Sequence, residues 1–485
     1  MRHCIYLPSL LKRLANFYTR PFLIQCLAVL LTVVSFSACS TVEPVPQLPL
    51  SQGNPEPKVL PTVLTSKRTD SVGDTKSLLQ HRWKNSFKDT ALIARLEELA
   101  TGQPLIAGNK VTLLYDGPQT MDAMMDALQH AQNHINLETY IFDQDPVGMR
   151  FAQALIAKQN SGVQVNVIYD SVGTLSTPTS FFDRMRDAGI RMIEFSPISP
   201  FNRFGSWQPN QRDHRKLLVV DGKVAFTGGV NISSSYSNSS LFRSKSRSRS
   251  SASARPDSGW RDTHVRIEGP AVGALQWEFL NHWADNSSLD ISQSDFLPDL
   301  KPRGNQLVRV LASEPGGRQE VYKSYVLAIR SAKSTVHITC AYFIPDAQIQ
   351  DALTDAAQRG VDVKLVLAGK QENSLAYYAG HDTFRSMLVQ GVNIYQLQNS
   401  VLHAKTAVVD AMWSTVGSTN IDSRSFLHNH ELNIVIYDPV IGLEMEVAFQ
   451  EDLRLSKEMS LAQWELRSVW EKTKEWLSKQ VAYWL

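Results

Sequence analysis

Two copies of one short motif contain side chains that can perform nucleophilic and acid–base chemistry. Both copies fit the pattern His-x-Lys-x4-Asp-x6-Gly-[Gly/Ser]-x-Asn, with identical spacing. The polar residues of the two copies are His214, Lys216, Asp221 and Asn231, and His403, Lys405, Asp410, Ser418 and Asn420. If the copies converge, they form a pocket with two imidazoles, two ammonium groups and several neutral hydrogen-bond donors.

Such a pocket suits a phosphate diester. Cations and neutral donors can bind the non-bridging oxygens, so we expect Asn231, Ser418 and Asn420 to contact the phosphate together with the motif lysines. Two imidazoles allow a nucleophile and a proton donor to lie on opposite sides of phosphorus. We therefore predict catalytic residues in both copies, namely His214, Lys216 and Asp221, and His403, Lys405 and Asp410.

The duplication of the motif makes the catalytic interpretation stronger than a single copy would. A single His-x-Lys sequence usually marks a solvated or structural histidine, and would predict little. Two copies with the same spacing, each at the equivalent place in a repeated sequence, favour a shared catalytic site.

The spacing also predicts how the side chains are positioned. Side chains alternate along an extended strand, so His214 and Lys216 should point to one face, and His403 and Lys405 likewise. Each strand runs into a turn at residues 221–222 or 410–411, and the returning strand ends in small residues that let the backbone approach a ligand.

The sequence around these hairpins also contains an internal repeat. Helix-like and strand-like patterns alternate from about residue 110, and the same order restarts near residue 306. Helix patterns cover residues 120–132, 149–159 and 180–188, then 320–331 and 347–357; strand patterns cover 134–141 and 162–168, then 336–343 and 360–366. This alternation predicts an α/β fold of two similar halves with the site at their seam.

At these residues the sequence resembles the phospholipase D superfamily, whose paired motifs have this form, and is most similar to its bacterial cardiolipin synthase branch. The resemblance extends from about residue 84 to 455, and its matching stretches are residues 137–142, 214–216, 260–270, 342–345 and 420–426, with Asn429 and Glu431.

The resemblance implies two duplicated α-β-α sandwich halves that form a pseudo-two-fold, bilobal body. It also implies that one motif histidine attacks phosphorus to give a phosphohistidine, while the other protonates the leaving alcohol and later activates the acceptor. Asp262 and Glu431 match the acids that support these histidines. Asp221 and Asp410, the motif aspartates, are assigned mainly to holding the hairpin and its charges.

The N-terminus predicts export. Residues 1–20 contain four cations and no acid, and an apolar run follows, too short to span a bilayer. Residues 36–39 resemble a lipobox ending at Cys39, so we expect a signal peptide over residues 1–38 and lipidation of Cys39. The neighbouring Ser40 favours the outer membrane of a bacterial envelope, with the enzyme facing the periplasm. Residues 39–83 should be a flexible linker, followed by one domain over residues 84–300 and a second over residues 301–485.

Two further segments allow alternatives. The Ser/Arg-rich stretch 233–255 contains five cations and no acid. It predicts a mobile loop that is either a solvated insertion or a site for anionic head groups or nucleic acid. The C-terminal residues Leu466, Trp470, Thr473, Leu477, Val481 and Trp484 recur at helical spacing. This stripe favours packing against the second half; the alternative is an interfacial helix with its tryptophans at head-group level.

Function is predicted as transfer of a phosphatidyl group between phospholipids, most simply phosphatidylglycerol to cardiolipin plus glycerol. Water as the acceptor would make the protein a phospholipase D instead. A phosphodiester nuclease is less favoured: without residues 1–38 the chain has 45 cationic and 47 acidic side chains, a net charge of −2. Neither a cofactor nor a metal is expected, His428 and His430 are interpreted as incidental, and Cys340 as a core thiol. We expect a monomer whose two halves form an internal pseudo-dimer.

Overall fold

The computed structural model describes residues 41–45, 59–65, 72–198, 210–237, 259–287, 295–369, 374–398 and 400–480. The predicted signal peptide and Cys39 lie outside these residues, as does most of the Ser/Arg-rich stretch. Residues Pro44–Leu485 form one compact unit. Within the described segments, no helix has both the length and the apolar character needed to cross a membrane.

Helices and short strands alternate through both halves, as the sequence predicts. The helices are α1 Val72–Trp83, α2 Phe87–Thr101, α3 Gly117–Gln129, α4 Pro146–Asn160, α5 Thr179–Asp187, α6 Ala271–Asn286, α7 Glu320–Ser331, α8 Ala347–Gln358, α9 Ser374–Val389, α10 Ser423–Leu427, α11 Pro439–Arg454, α12 Leu461–Glu465 and α13 Val469–Lys479. Aspartates cap equivalent helices: Asp145 accepts a hydrogen bond at the start of α4, and Asp346 at the start of α8.

Within the described residues the strands form one large sheet of 17 strands, built from two equivalent sets, and a separate pair of short strands. They are β1 Val63–Leu64, β2 Leu105–Leu114, β3 His134–Thr139, β4 Gln164–Asp170, β5 Arg191–Phe195, β6 Arg212–Asp213, β7 Leu217–Val220, β8 Val224–Gly228, β9 Trp260–Arg261, β10 His264–Glu268, β11 Gln306–Ser313, β12 Thr335–Cys340, β13 Asp362–Ala368, β14 Asn393–Leu397, β15 Val401–Leu402, β16 Lys405–Val409, β17 Trp413–Gly417, β18 Asn429–Tyr437 and β19 Ser456–Glu458.

The sheet order demonstrates the duplication. In the first half the order is β2-β10-β8-β7-β3-β4-β5, and in the second it is β11-β18-β17-β16-β12-β13-β14, with parallel pairing only among the last three strands of each set. Strands β2 and β11 pair antiparallel and join the halves. The predicted duplicated α/β fold is confirmed.

Helices cover both faces of this sheet. The helices α3, α4 and α5 bury apolar side chains against one face of the first half. On the other face, α6 and α11 share a single apolar core with strands of both halves, including Val265 of the first half and Ile434 of the second. Because this core is common to the two halves, it holds their motif hairpins at a defined distance.

The predicted linker differs from the structure at its ordered parts. Strand β1 pairs with β2, and α1 occupies the last part of the range 39–83. Val45 is also buried, donating to Gln348 and accepting from Arg330. The range 39–83 is mostly polar, so its average composition predicts a linker. Such a prediction overlooks the few apolar residues that make these contacts.

The C-terminal helix is also oriented differently from the favoured prediction. The residues expected to face the second half, Leu466, Trp470 and Leu477, are exposed, while Glu475 and Ser478 are buried. Val481 and Trp484 lie outside the described residues. The helix packs by its polar side, because its charged groups find partners on α9.

Candidate active site

Each motif histidine follows a short strand that pairs with the opposite half. Strand β6 pairs parallel with β18, and β15 pairs parallel with β9. The His214 N–H donates to the His430 carbonyl at 3.0 Å, and the His403 N–H donates to the Arg261 carbonyl at 2.8 Å. The histidines therefore lie in gaps between strands, not within one strand as predicted, because the chain leaves one half to pair with the other.

The acid that supports each histidine comes from the other half. His214 Nδ1 lies 3.0 Å from Glu431 Oε1, and His403 Nδ1 lies 2.7 Å from Asp262 Oδ2. A carboxylate at Nδ1 selects the tautomer whose Nε2 lone pair is free to react. Neither half contains a complete site, so catalysis by these pairs requires both.

The lysines are held by the histidines' own backbone. Lys216 Nζ donates to the His214 carbonyl at 2.6 Å, and Lys405 Nζ donates in the same way to the His403 carbonyl. Both lysine side chains are buried. Each ammonium has further N–H groups to offer to a phosphate oxygen.

The charges show that the two motif copies form one electrostatic site. Burial first, and then Lys216, Lys405 and Arg424, hold the pKa of His214 well below its ordinary value. Burial and the same two lysines lower the pKa of His403 to about 3. Both imidazoles are therefore neutral in the resting protein, as a nucleophile requires.

Burial also lowers the pKa of the lysines. The pKa of Lys216 falls to about 7 through burial and the neighbouring Lys405, despite the opposing effect of Glu431. The pKa of Lys405 is lowered chiefly by burial. A phosphate anion would favour the charged form of both lysines, so these buried ammonium groups suit an anionic ligand.

The two supporting acids differ. Burial would raise the pKa of Asp262, but His403 and Lys405 outweigh it and the pKa is lowered. Burial dominates at Glu431 and raises its pKa to about 7. Asp262 is thus ionised at neutral pH, whereas Glu431 is partly protonated at that pH.

The predicted phosphate-binding residues divide into two groups. Asn231 Nδ2 donates to the Tyr236 hydroxyl at 2.7 Å, and Ser418 Oγ donates to Glu431. These two side chains therefore support the histidine–acid pairs internally. Asn420 Oδ1 is buried without a hydrogen-bond partner among the described residues, and this acceptor makes Asn420 the candidate for a direct contact with a hydroxyl of the substrate.

The motif aspartates lie away from the histidines. The Asp221 carboxylate accepts from the backbone N–H groups of residues 132–134, and the Asp410 carboxylate accepts from those of residues 333–335. Both have a positive φ, at 55° and 52°. They cap the chain just before β3 and β12 and fix the hairpin turn, which corrects their inclusion among the catalytic residues and agrees with the hairpin role.

Aromatic residues around the histidines were missed by motif analysis. The Tyr140 ring lies edge-on to His214, with centroids 5.1 Å apart, and Trp260 and Tyr236 lie 5.2 and 5.7 Å from His403. Tyr236 belongs to a short 3-10 helix, Ser234–Tyr236, although these residues fall within the stretch predicted to be a mobile loop. The only sequence signal for Tyr236 is a large aromatic residue five positions after Asn231, and the serine-rich sequence around it favoured a loop prediction instead.

One group among the described residues has metal-ligand chemistry, and it lies outside the histidine pocket. Glu138, Asp213 and His282 are buried with potential ligand atoms within 4.8 Å of one another. Burial raises the pKa of Glu138 to about 7 and that of Asp213 well above its ordinary value, while Arg215 supplies a nearby positive charge. Protons and Arg215 balance these carboxyls, so the group fits a structural role behind His214.

Comparisons with known proteins agree with this geometry. A family model described as "Cardiolipin synthase, PLD-like domain" matches residues 124–241 and 325–453. The chain is 34% identical over 378 residues to the major cardiolipin synthase ClsA of Bacillus subtilis, covering 76% of this chain and 74% of that one. It is also 34% identical over 383 residues to a cardiolipin synthase of Listeria innocua, covering 78% and 76%.

A solved structure supports the fold alone. The crystal structure of a phosphatidylserine synthase from Haemophilus influenzae matches with a TM-score of 0.61 at 13% identity, over 81% of this chain and 100% of that one. Two matched segments in one chain, with 34% identity over most of two relatives, are sufficient for assignment. The chain belongs to the phospholipase D superfamily, in its cardiolipin synthase branch.

Proposed function

We propose that the protein transfers a phosphatidyl group from one phosphatidylglycerol to another, forming cardiolipin and releasing glycerol through a phosphohistidine. The observation that supports this best is the reciprocal arrangement of the histidines: His214 pairs with Glu431, and His403 pairs with Asp262, across the seam. Two supported imidazoles in one anion-binding site suit two successive displacements at phosphorus.

In the first step, Nε2 of one histidine attacks phosphorus. The bond from phosphorus to the glycerol oxygen breaks, and the other histidine, protonated once substrate has neutralised the lysines, donates its proton to that oxygen. The products are a phosphatidyl-histidine, free glycerol and a neutral second histidine.

In the second step, a hydroxyl of another phosphatidylglycerol attacks the same phosphorus. The neutral second histidine removes its proton, the phosphorus–nitrogen bond breaks, and cardiolipin leaves with both histidines restored. Lys216 and Lys405 would stabilise the charge on the non-bridging oxygens in both steps, because they are buried and already held by backbone carbonyls.

Export and anchoring are part of the same proposal. The cationic, then apolar N-terminus supports a signal peptide over residues 1–38, and residues 36–39 support a lipidated Cys39 that would place the enzyme on the periplasmic side of a bacterial envelope. A monomer is proposed because both acid–histidine pairs form within one chain.

The test is incubation of the purified protein with phosphatidylglycerol, with lipid products read by mass spectrometry. Cardiolipin and glycerol in equal amounts are expected, and a His214→Ala, His403→Ala double variant is the matched control. Phosphatidic acid without cardiolipin would identify water as the acceptor and replace the transferase proposal by a hydrolase. Absence of both products would overturn a phospholipid activity.

A further inference from the structure

Helix α13 packs onto the body with its polar side inward. Glu475 is buried, with Oε1 3.4 Å from His381 Nδ1 and Oε2 3.2 Å from Arg467 Nη2. Lys479 pairs with Asp382 of α9 at 2.7 Å. A surface helix usually buries its apolar stripe, so this packing is reversed.

The reversal leaves an apolar face on the outside. Its members share one side of the helix or the turn before it, and are 85, 80, 66, 61 and 54% exposed in the order Leu466, Val469, Trp470, Trp476 and Leu477. At 100° per residue, the four members within α13 fall in an arc of about 120°. We call this set the C-terminal apolar face. Two tryptophans and three aliphatic side chains in one exposed patch indicate an interaction surface.

Lysine side chains flank the C-terminal apolar face, and the acidic side chains of the helix lie away from it. Lys472 lies along one margin, next to Lys479, which is paired with Asp382, and Lys474 lies along the other margin. Glu471 and Glu475 lie on the far side of the helix. Lysines beside an apolar, tryptophan-containing face can reach anionic head groups while the face enters the acyl boundary.

The C-terminal apolar face also lies near the carboxyl ends of the parallel strands, which is the end of the sheet where the histidines are found. Helix α9 begins beyond the carboxyl end of β13, and β13 runs parallel to β12, whose last residue, Cys340, pairs with Lys405. Lys474 Nζ lies 5.1 Å from the Tyr378 ring, in the second turn of α9, and 5.8 Å from the Trp470 ring. Trp470 is therefore on the same side of the molecule as the proposed site.

We propose that the C-terminal apolar face docks into the surface of a phospholipid bilayer that contains anionic lipid, with Trp470 and Trp476 at head-group depth. The apolar exposure and the basic margins support a membrane as its occupant. The link to substrate delivery rests on the proposed function, since a phospholipid substrate is presented at such a surface; the docking itself does not.

The direct test is tryptophan quenching in the full-length protein by vesicles of brominated phosphatidylcholine and phosphatidylglycerol. Quenching is expected, and it should decrease in a Trp470→Phe, Trp476→Phe variant. Trp464→Phe is the matched control, because Trp464 is buried, and it should leave the quenching unchanged. This readout distinguishes contact by α13 from attachment through the N-terminus, and it requires no catalysis.

A second test uses charge. Trp470→Glu with Leu477→Glu should lower activity on vesicles by about 10-fold, because each glutamate opposes insertion, and leave activity on detergent-dispersed lipid unchanged. Val440→Glu with Leu443→Glu is the control: both side chains are 59% exposed on α11, beyond the end of β18 remote from Glu431.

Quenching that is identical in the wild type and the Trp470→Phe, Trp476→Phe variant would overturn the proposal. So would a lipid-free dimer that the glutamate pair on α13 dissociates, since the occupant would then be a second copy of the chain. A protein inactive on every phospholipid but quenched through these tryptophans would overturn the proposed function and keep the docking surface.

Discussion

The surroundings of His214 and His403 are built on the same backbone plan and differ in chemistry. Each histidine follows a cross-half strand pair and has a carboxylate at Nδ1. His214 has the longer acid, Glu431, whose pKa burial raises to about 7. His403 has the shorter acid, Asp262, whose pKa its partners lower. Duplication thus preserved the geometry while the two acids acquired different protonation states.

A glycine explains how the shorter acid fits. A Cβ atom at Gly229 would lie 2.0 Å from Asp262 Oδ1, so no side chain fits at this position without moving the acid. At the equivalent position of the second half, Ser418 donates its hydroxyl to Glu431. The absence of a side chain at Gly229 therefore allows Asp262 to approach closely. Glycine and serine are not interchangeable at these two equivalent positions.

The largest effect is expected from removing either histidine. His214→Ala and His403→Ala should each lower kcat on phosphatidylglycerol by roughly 10⁴-fold or more, because each histidine acts in both displacements. The His130→Ala variant, changed at an exposed histidine, should retain full activity.

A phosphatidyl ester of p-nitrophenol would assign the roles in these variants. Its leaving group needs no proton, so a burst of p-nitrophenolate is expected in the variant that retains the nucleophile and not in the other. Bursts in both variants would contradict a single nucleophilic histidine.

The acids should come next and should differ. Asp262→Asn should lower kcat by roughly 10³-fold, because it removes an ionised carboxylate and favours the wrong imidazole tautomer. Glu431→Gln should cost less, on the order of 10-fold to 10²-fold, since part of the Glu431 population is already neutral at pH 7. Steady-state kinetics on variants with native circular dichroism spectra measures this; equal losses would show that the acids are equivalent.

The Gly229 and Ser418 positions give a smaller effect. Gly229→Ser should displace Asp262, lower activity by roughly 10-fold and destabilise the fold by about 1–3 kcal/mol, as overpacking does. Ser418→Gly loses one hydrogen bond to Glu431, worth about 1 kcal/mol. Urea unfolding and kinetics of both variants would test the ranking, and a harmless Gly229→Ser substitution would contradict the steric explanation.

The smallest effect is a difference in how stability depends on pH. Glu431 ordinarily titrates near 4.5, and in the folded protein near 7. Between these values the folded state keeps a proton that the unfolded state has lost, so the free energy of unfolding falls as pH rises, by about 1 kcal/mol per pH unit. Burial also raises the pKa of Glu138 to about 7 and adds to the same slope, so Glu431→Gln should lower the slope by the Glu431 contribution without abolishing it.

Asp262 provides the internal comparison for this experiment. Its pKa is lowered from 3.8, so its stabilising contribution is complete above that value and is lost only in stronger acid. Asp262→Asn should therefore leave the slope between pH 5 and 7 unchanged. Urea unfolding at pH 5, 6, 7 and 8 measures both variants, and a slope that is the same in Glu431→Gln as in the wild type would refute the assignment.

Much of the fold could be predicted from local patterns. Helix α7 begins and ends at the predicted residues, and the other repeated helices and strands differ by a few residues at their ends. Apolar periodicity predicts these elements because each buries one face of the chain. The His214 segment was predicted as strand and is a gap, since its pairing partner, β18, lies more than 200 residues away.

The sequence by itself determined the residues of the site, the duplication and the likeness of the two acids to a known pattern, because each is written in residue types and spacing. Only the tertiary structure decided that Glu431 supports His214 and Asp262 supports His403, that Asp221 and Asp410 cap turns, and that α13 exposes its apolar face. These depend on which surfaces meet when the two halves share one core, and the repeat alone does not specify that pairing.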